Sequence, residues 1–172
     1  GFSQEWGASS GDIIANVSGA ALFVSQELLW KEQRITPKFS FHQTKFASQR
    51  PETLGASLNE QILKDYNGQT YWLSFNLQSF TKDNFTPKWL NLAIGYGGEG
   101  ILYGKDTEAI ENGIIQNSYR QFYLSLDVDL TKINTKSHFL KTLFSVFNTI
   151  KIPAPTLQYD DSNGVKAHFI YF

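Results

Sequence analysis

The residues best able to do chemistry in this chain are carboxylates. Asp127 and Asp129 stand two apart in YRQFYLSLDVDL. On a strand they share one face, where with Glu99 they can bind a cation or polarise water. A polar sheet face also carries acids that are only solvated or paired with lysine or arginine, so the pair is a weak metal candidate. A second constellation stands near the chain start, where Asp12 and Asn16 are one helical turn apart and Glu5 can fold back from the preceding loop. An acid-rich catalytic site would use all three, whereas helix capping and hydrogen bonding account for them more simply. His42, His138 and His168 lack the two-, three- or four-residue spacing that puts metal ligands on one face. The glycines of GYGGEG are not followed by the GK[ST] of a phosphate loop. With no cysteine, thiol nucleophiles and thiolate metal sites are excluded. No cofactor is implied.

The element holding the first pair is the longest alternating stretch in the chain. Phe122, Leu124, Leu126, Val128 and Leu130 point one way, and Gln121, Tyr123, Ser125, Asp127 and Asp129 the other. A strand with one wholly apolar and one polar face fits a large antiparallel sheet or a barrel wall. Membrane barrels turn the apolar residues outward and the polar ones inward. Two further strands are expected from TYWLSFNL and WLNLAIGYGGEGILYG, where the glycines facing away from Leu90, Leu92, Ile94 and Tyr96 imply a bulge, a sharp bend or a close backbone neighbour. KFSFH reads as a short strand and LQYDDSNGVKAHFIYF as a hairpin around Asn163 and Gly164. A barrel-assembly signal ends in an aromatic residue with apolar residues at every second position before it. Phe172 and Ile170 comply, but His168 and Lys166 do not.

Around these strands the sequence predicts a first helix over about 12–33, capped by Ser9 or Ser10, a turn or two of helix in SLNEQILKDY, a polar loop over 105–118, and a second long helix in KSHFLKTLFSVFNTI. Phe139, Leu143 and Phe147 line one side of the second helix, and Lys136 and Lys141 flank it. Such a helix can lie in a membrane interface or cap the sheet, which makes these five residues candidate membrane or partner contacts. No unbroken run of about 18 apolar residues occurs, so insertion is expected through strands or a surface helix rather than a spanning helix. The fold class is therefore α+β: an N-terminal helix, then an antiparallel sheet of about six strands, able to form a barrel, with one inserted amphipathic helix. The division falls at 1–34 for the helical part and 35–172 for the β-rich part.

Composition agrees with an interface protein. Fourteen Phe, eight Tyr and four Trp in 172 residues are an aromatic excess suited to protein or membrane contacts. A net charge of −1 provides no field for nucleic acid. The first residues have no initiator Met, basic segment or apolar segment, so the chain reads as mature or truncated.

The N-terminal segment GFSQEWGASSGDIIANVSGAALF resembles the last part of the YfiM-like predicted periplasmic lipoprotein family, a domain of unknown function. It carries a small, polar pattern at Gly7, Ser9 or Ser10, Asp12, Asn16, Gly19 and Ala20. KDYNGQTYWLSFNL, PKWLNLAIGYGGEG, YRQFYLSLDVDL and IPAPTLQY resemble the longer Bacteroidota version, which adds a β-rich C-terminal region. The resemblance implies that residues 1–34 are the C-terminal helix of a YfiM-like helical region. It also implies a Gram-negative cell-envelope protein at the outer membrane or in the periplasm; it does not imply catalysis.

The leading expectation is a non-catalytic accessory subunit of a larger outer-membrane protein assembly or secretion complex, with other envelope proteins and membrane lipid as partners. The alternatives are an envelope enzyme acting on lipid or cell wall through Glu5, Asp12 and Asn16 plus residues upstream, and a small-ligand carrier with a closed apolar cavity.

Overall fold

Alternation with a period of two produces the sheet that the sequence predicts. In the computed structural model, which describes residues 10–104, 106–115 and 117–172, the chain divides into two compact units, Gly1–Ile35 and Thr36–Phe172. The helices and strands in chain order are α1 (Ser10–Trp30), β1 (Ile35–Phe41), α2 (Pro51–Leu54), α3 (Leu58–Lys64), β2 (Gln69–Asn76), α4 (Leu77–Thr81), β3 (Leu90–Glu99), α5 (Asp106–Glu111), β4 (Tyr119–Val128), α6 (His138–Phe147), β5 (Ala154–Asp160) and β6 (Gly164–Tyr171). The class is α+β, with one six-stranded antiparallel sheet whose spatial order is the chain order.

Among the described residues, the first unit consists of α1, the turn that ends it and the first residue of β1. Lys31, with φ of 58°, takes the left-handed conformation after the helix. The buried Gln26 side chain accepts from the Arg34 and Ile35 amides at 2.9 and 2.7 Å and donates to the Ile35 carbonyl at 3.0 Å, fixing the exit of the chain. Between Ile13 and Trp30 the helix has a mean hydropathy of 1.3, long and apolar enough to cross a membrane by length and composition alone. The helix passes this test although no unbroken apolar run occurs in it. Asn16, Ser18, Ser25, Gln26 and Glu27 interrupt the run, yet Glu27 is the only formal charge in the window, so the average stays apolar.

In the second unit, neighbouring strands from β2 to β6 pair in register, Leu73 with Ile94, Ile94 with Leu124, and Leu124 with Leu157. The sheet is strongly curled. Trp72 on β2 and Tyr171 on β6 have ring centroids 6.3 Å apart, although four strand spacings separate them, about 19 Å in a flat sheet. Lys38 on β1 reaches Asp127 on β4 at 2.8 Å across three spacings. At the free edge of β1, the Phe39 amide donates to the Thr149 carbonyl and the Lys151 amide to the Phe39 carbonyl, both at 2.9 Å, so the approach to β5 crosses back to β1. The sheet does not close into a barrel, since β1 and β6 are its two ends.

Curling gives the sheet a concave face packed around Trp72, Ala93, Tyr123 and Tyr171. Gly95 explains one of the sequence's glycines. A Cβ there would lie 2.6 Å from Trp72 Cε3, so only hydrogen leaves room for the indole. Gly95→Val is expected to displace Trp72 and cost about 1–3 kcal/mol, read as a lower unfolding midpoint, with no change if the indole is in fact loosely seated.

Three local features differ from the sequence expectation. The segment read as a polar loop over 105–118 contains α5, too short to show helical periodicity. Directly after β2, Asn76 caps α4 by accepting from the Ser79 amide at 3.0 Å. In β6, the pairing steps from Thr156–His168 to Ala154–Tyr171, so an extra residue bulges out. That bulge breaks the alternation near the C-terminus and explains why Phe169 and Ile170 are both exposed.

Candidate functional site

The two sheet faces are assigned opposite to those of an ordinary soluble sheet. The buried concave face is polar: Lys38 and Ser40 on β1, Thr70, Ser74 and Asn76 on β2, Asn91 on β3, Gln121, Ser125 and Asp127 on β4, and Thr156, Gln158 and Asp160 on β5. The convex face is apolar and open. Tyr71, Leu73, Ile94, Tyr96, Phe122, Leu124, Leu157 and Tyr159 lie there at 42–54 % exposure. Register sorts them by height. Tyr71, Tyr96, Phe122 and Tyr159 form one continuous aromatic row, with Tyr96 edge-on to Phe122 at 5.6 Å and Phe39 edge-on to Tyr71 at 5.7 Å. Leu73, Ile94, Leu124, Leu157 and Ala167 form the next row, followed by Phe75, Leu92 and Leu126, then by Leu90 and Val128. Half-exposed side chains of this size leave on the order of 100 Å² each, so these eight alone exceed the largest apolar patch of most soluble monomers, roughly 300–600 Å².

The concave face is held by charge. Asp127 is fully enclosed, with Lys38 Nζ 2.8 Å from Oδ2 and Lys151 Nζ 3.9 Å from Oδ1, the side chains of all three at 0 % exposure. Ser74 Oγ donates to Oδ2 at 2.6 Å and the Ile152 amide to Oδ1 at 3.2 Å. Lys38 also donates to the Val128 carbonyl at 2.7 Å, and Lys151 to the carbonyls of Leu126 and Ile152 at 2.8 and 2.6 Å. Lys151 additionally lies 5.1 Å from the centre of the Trp72 ring, a cation–π contact. Ser74 accepts from Asn91, which accepts from Asn76, both at 2.8 Å, extending the network along the sheet. Burying two ammonium groups and a carboxylate is tolerable because each is hydrogen-bonded and oppositely paired.

A second polar cluster forms around Tyr171. Its hydroxyl donates to the Tyr123 hydroxyl at 2.7 Å, Tyr123 to Gln121 at 2.8 Å, and Gln121 to Glu99 at 2.8 Å. The rings of His42 and His168 lie 5.8 and 5.1 Å from the Tyr171 ring. These two histidines, unrelated in sequence, lie against the same tyrosine ring because the sheet curls. His168 is bonded to Gln158 at 2.8 Å, and burial holds His42, in the loop after β1, below the usual imidazole pKa.

The sequence-predicted candidates fall in separate places. Asp127 is the centre of the ion network. Asp129 instead caps the 3₁₀ turn Leu130–Lys132, accepting from the Thr131 amide and hydroxyl at 3.0 and 2.6 Å. The two acids therefore do not act together, and among the described residues no group of three or more His, Cys, Asp or Glu is placed to hold a metal. Glu5 lies outside the described residues, as does the side-chain environment of Asp12; Asn16 is exposed on α1. On α6, Phe139 and Phe147 are 71 % and 50 % exposed, Leu143 is half-buried, and Lys136 and Lys141 are exposed. No residue of α6 is buried, and the helix packs against the Leu130–Lys132 turn rather than over the convex face. Sequence reasoning missed Lys38, Ser74 and Lys151. Part of the signal was present, because each interrupts apolar neighbours, Ser74 between Leu73 and Phe75 and Lys151 between Ile150 and Ile152, but the partnership requires curvature that no local pattern encodes.

Comparison of this chain with protein-family models, with curated proteins and with solved structures finds no match.

Proposed function

We propose that this chain is a non-catalytic cell-envelope protein of the YfiM-like kind, whose convex sheet face meets outer-membrane lipid and which serves as an accessory subunit of a larger outer-membrane protein assembly or secretion complex. The observation that carries the reading is the reversal of the faces, with Asp127, Lys38 and Lys151 enclosed and Leu73, Ile94, Leu124 and Leu157 open. In water this arrangement sacrifices hydrophobic burial, whereas in hydrocarbon it is the expected one. The aromatic row Tyr71–Tyr96–Phe122–Tyr159 at one end of the aliphatic rows, and Trp89 at the other, match the placement of interfacial aromatics in membrane sheets. Tyr96 to Leu90 spans about 20 Å along the strand, near the ~25 Å apolar band of outer-membrane barrels.

The subunit part of the proposal rests on the open sheet. Six strands are fewer than the eight of the smallest outer-membrane barrels. Among the described residues no strand pairs with the outer edge of β6, and an unpaired edge is not tolerated in hydrocarbon. A partner strand at β6, where Val165, Phe169 and Ile170 are exposed, completes the wall.

The test is extraction of the native protein. It is expected to stay with the envelope through high salt, to leave in mild detergent, and to copurify with other envelope proteins. A monodisperse monomer from the soluble periplasm without detergent contradicts the proposal. The alternative of a lipid- or cell-wall-acting enzyme depends on Glu5, Asp12 and Asn16. It requires Asp12→Ala to abolish an activity while leaving the fold intact.

A further inference from the structure

The antiparallel order brings two connections together at one end of the sheet, the segment 77–89 between β2 and β3 and the segment 129–153 between β4 and β5. The Asp129 amide donates to the Trp89 carbonyl at 2.8 Å, Asn76 Nδ2 to the Lys88 carbonyl at 2.7 Å, and the Leu130 amide to Asn148 Oδ1 at 2.8 Å, tying both to the same sheet end. Together they carry Lys82, Lys88, Lys132, Lys136, Lys141 and Lys151 against only two acids, Asp83 and Asp129. Lys151 is enclosed with Asp127 and Asp129 is spent on its turn, while Lys82, Lys88, Lys136 and Lys141 are exposed. The same end displays Phe80, Phe85, Trp89, Phe139 and Phe147, with Phe85 96 % exposed. The opposite end reverses the sign. Segments 42–68, 99–118 and 160–164 hold nine acids against four basic residues.

We propose that the lysine-rich end seats on an anionic phospholipid surface, with α6 lying in the head-group layer, its Phe139 and Phe147 among the acyl chains and its Lys141, with Lys136 just before the helix, on lipid phosphates. This deepens the membrane reading above and rests on it, because it fixes which end of the sheet meets which surface. The charge segregation selects anionic lipid as the occupant. A basic helix whose apolar side is exposed, with further lysines and aromatics beside it on a separate loop, has the composition of an interfacial anchor. The acidic end is repelled by that surface, so insertion takes one polarity.

The experiment measures partition of the full-length chain from detergent-free dilution onto phosphatidylcholine vesicles and onto vesicles of phosphatidylcholine with phosphatidylglycerol. Tighter partition onto the anionic vesicles, weakened by salt, is expected. Lys136→Gln with Lys141→Gln is expected to reduce it roughly ten- to thirtyfold, since each lysine near such a surface contributes about fivefold. Lys45→Gln with Lys64→Gln, at the other end, is expected to leave it unchanged. Equal partition onto both vesicle types, or equal losses from the two double variants, overturns this inference and leaves the membrane reading standing. Failure to associate with either vesicle type overturns both. The wild-type salt dependence reads out the same point without any variant.

Discussion

Leu124→Arg is expected to prevent stable insertion into the membrane while leaving the sheet foldable in detergent. Leu124 lies in the middle aliphatic row of the convex face, between Ile94 and Leu157, and is 44 % exposed. At the centre of a bilayer a lipid-facing arginine costs about 2–4 kcal/mol on a strand, a thirty- to thousandfold shift in partition. On a sheet facing water the same substitution falls within about 0.5 kcal/mol, because exposed positions away from caps and cores are nearly neutral. The two solvents therefore predict different results for one variant. The readout is the fraction of protein recovered in the membrane after reconstitution, with Ser125→Ala on the concave face as the comparison. Recovery of Leu124→Arg at the wild-type level contradicts the lipid-facing assignment.

Asp127→Ala is expected to destabilise the fold by about 3–5 kcal/mol, the usual result of removing one partner of an enclosed ion group. Lys38 loses the carboxylate 2.8 Å from its Nζ and Lys151 the one 3.9 Å from its own, while both ammonium groups remain at 0 % exposure. Ser74 and the Ile152 amide lose their acceptor as well. Replacing Lys38, Asp127 and Lys151 together by apolar residues of similar size is expected to restore most of the loss, since desolvation of all three charges is then avoided. Equilibrium unfolding of the single and triple variants checks both statements. A single variant as stable as the wild type contradicts the network's place at the centre of the concave face. A triple variant no better than the single one shows that the charges also fix the curl of the sheet.

The strands were legible because side-chain period and strand geometry coincide. YRQFYLSLDVDL predicted β4 nearly to the residue, and the close backbone neighbour that the glycines of GYGGEG implied is met at Gly97, where a Cβ would lie 3.2 Å from the Gln69 carbonyl oxygen, whereas Gly95 makes room for a side chain, the Trp72 indole. The helix in KSHFLKTLFSVFNTI was legible from its apolar spacing, and Ser137 caps it by accepting from the Leu140 amide. Curvature was not legible. A two-residue period says which residues share a face, but not which face becomes concave, and Lys38 meets Asp127 only after three strand spacings are bent together. For the same reason the two acids Asp127 and Asp129 looked like one site and are two. Asp129 follows the last strand residue, where its carboxylate turns to Thr131. The uneven alternation before Phe172 marked a bulge that only the pairing of β5 with β6 locates.

The most direct test of the face assignment is a nitroxide scan along β4, made simple by the absence of any native cysteine. Single cysteines at Gln121 through Val128 in the reconstituted protein, spin-labelled one at a time, report accessibility to oxygen, which concentrates in lipid, and to a water-soluble nickel chelate. Labels at 122, 124 and 126 are predicted to show high oxygen and low chelate accessibility, with those at 121, 123 and 125 shielded from both, giving a period of two. High chelate accessibility at 122, 124 and 126 would mean that the convex face meets water and that the membrane account is wrong.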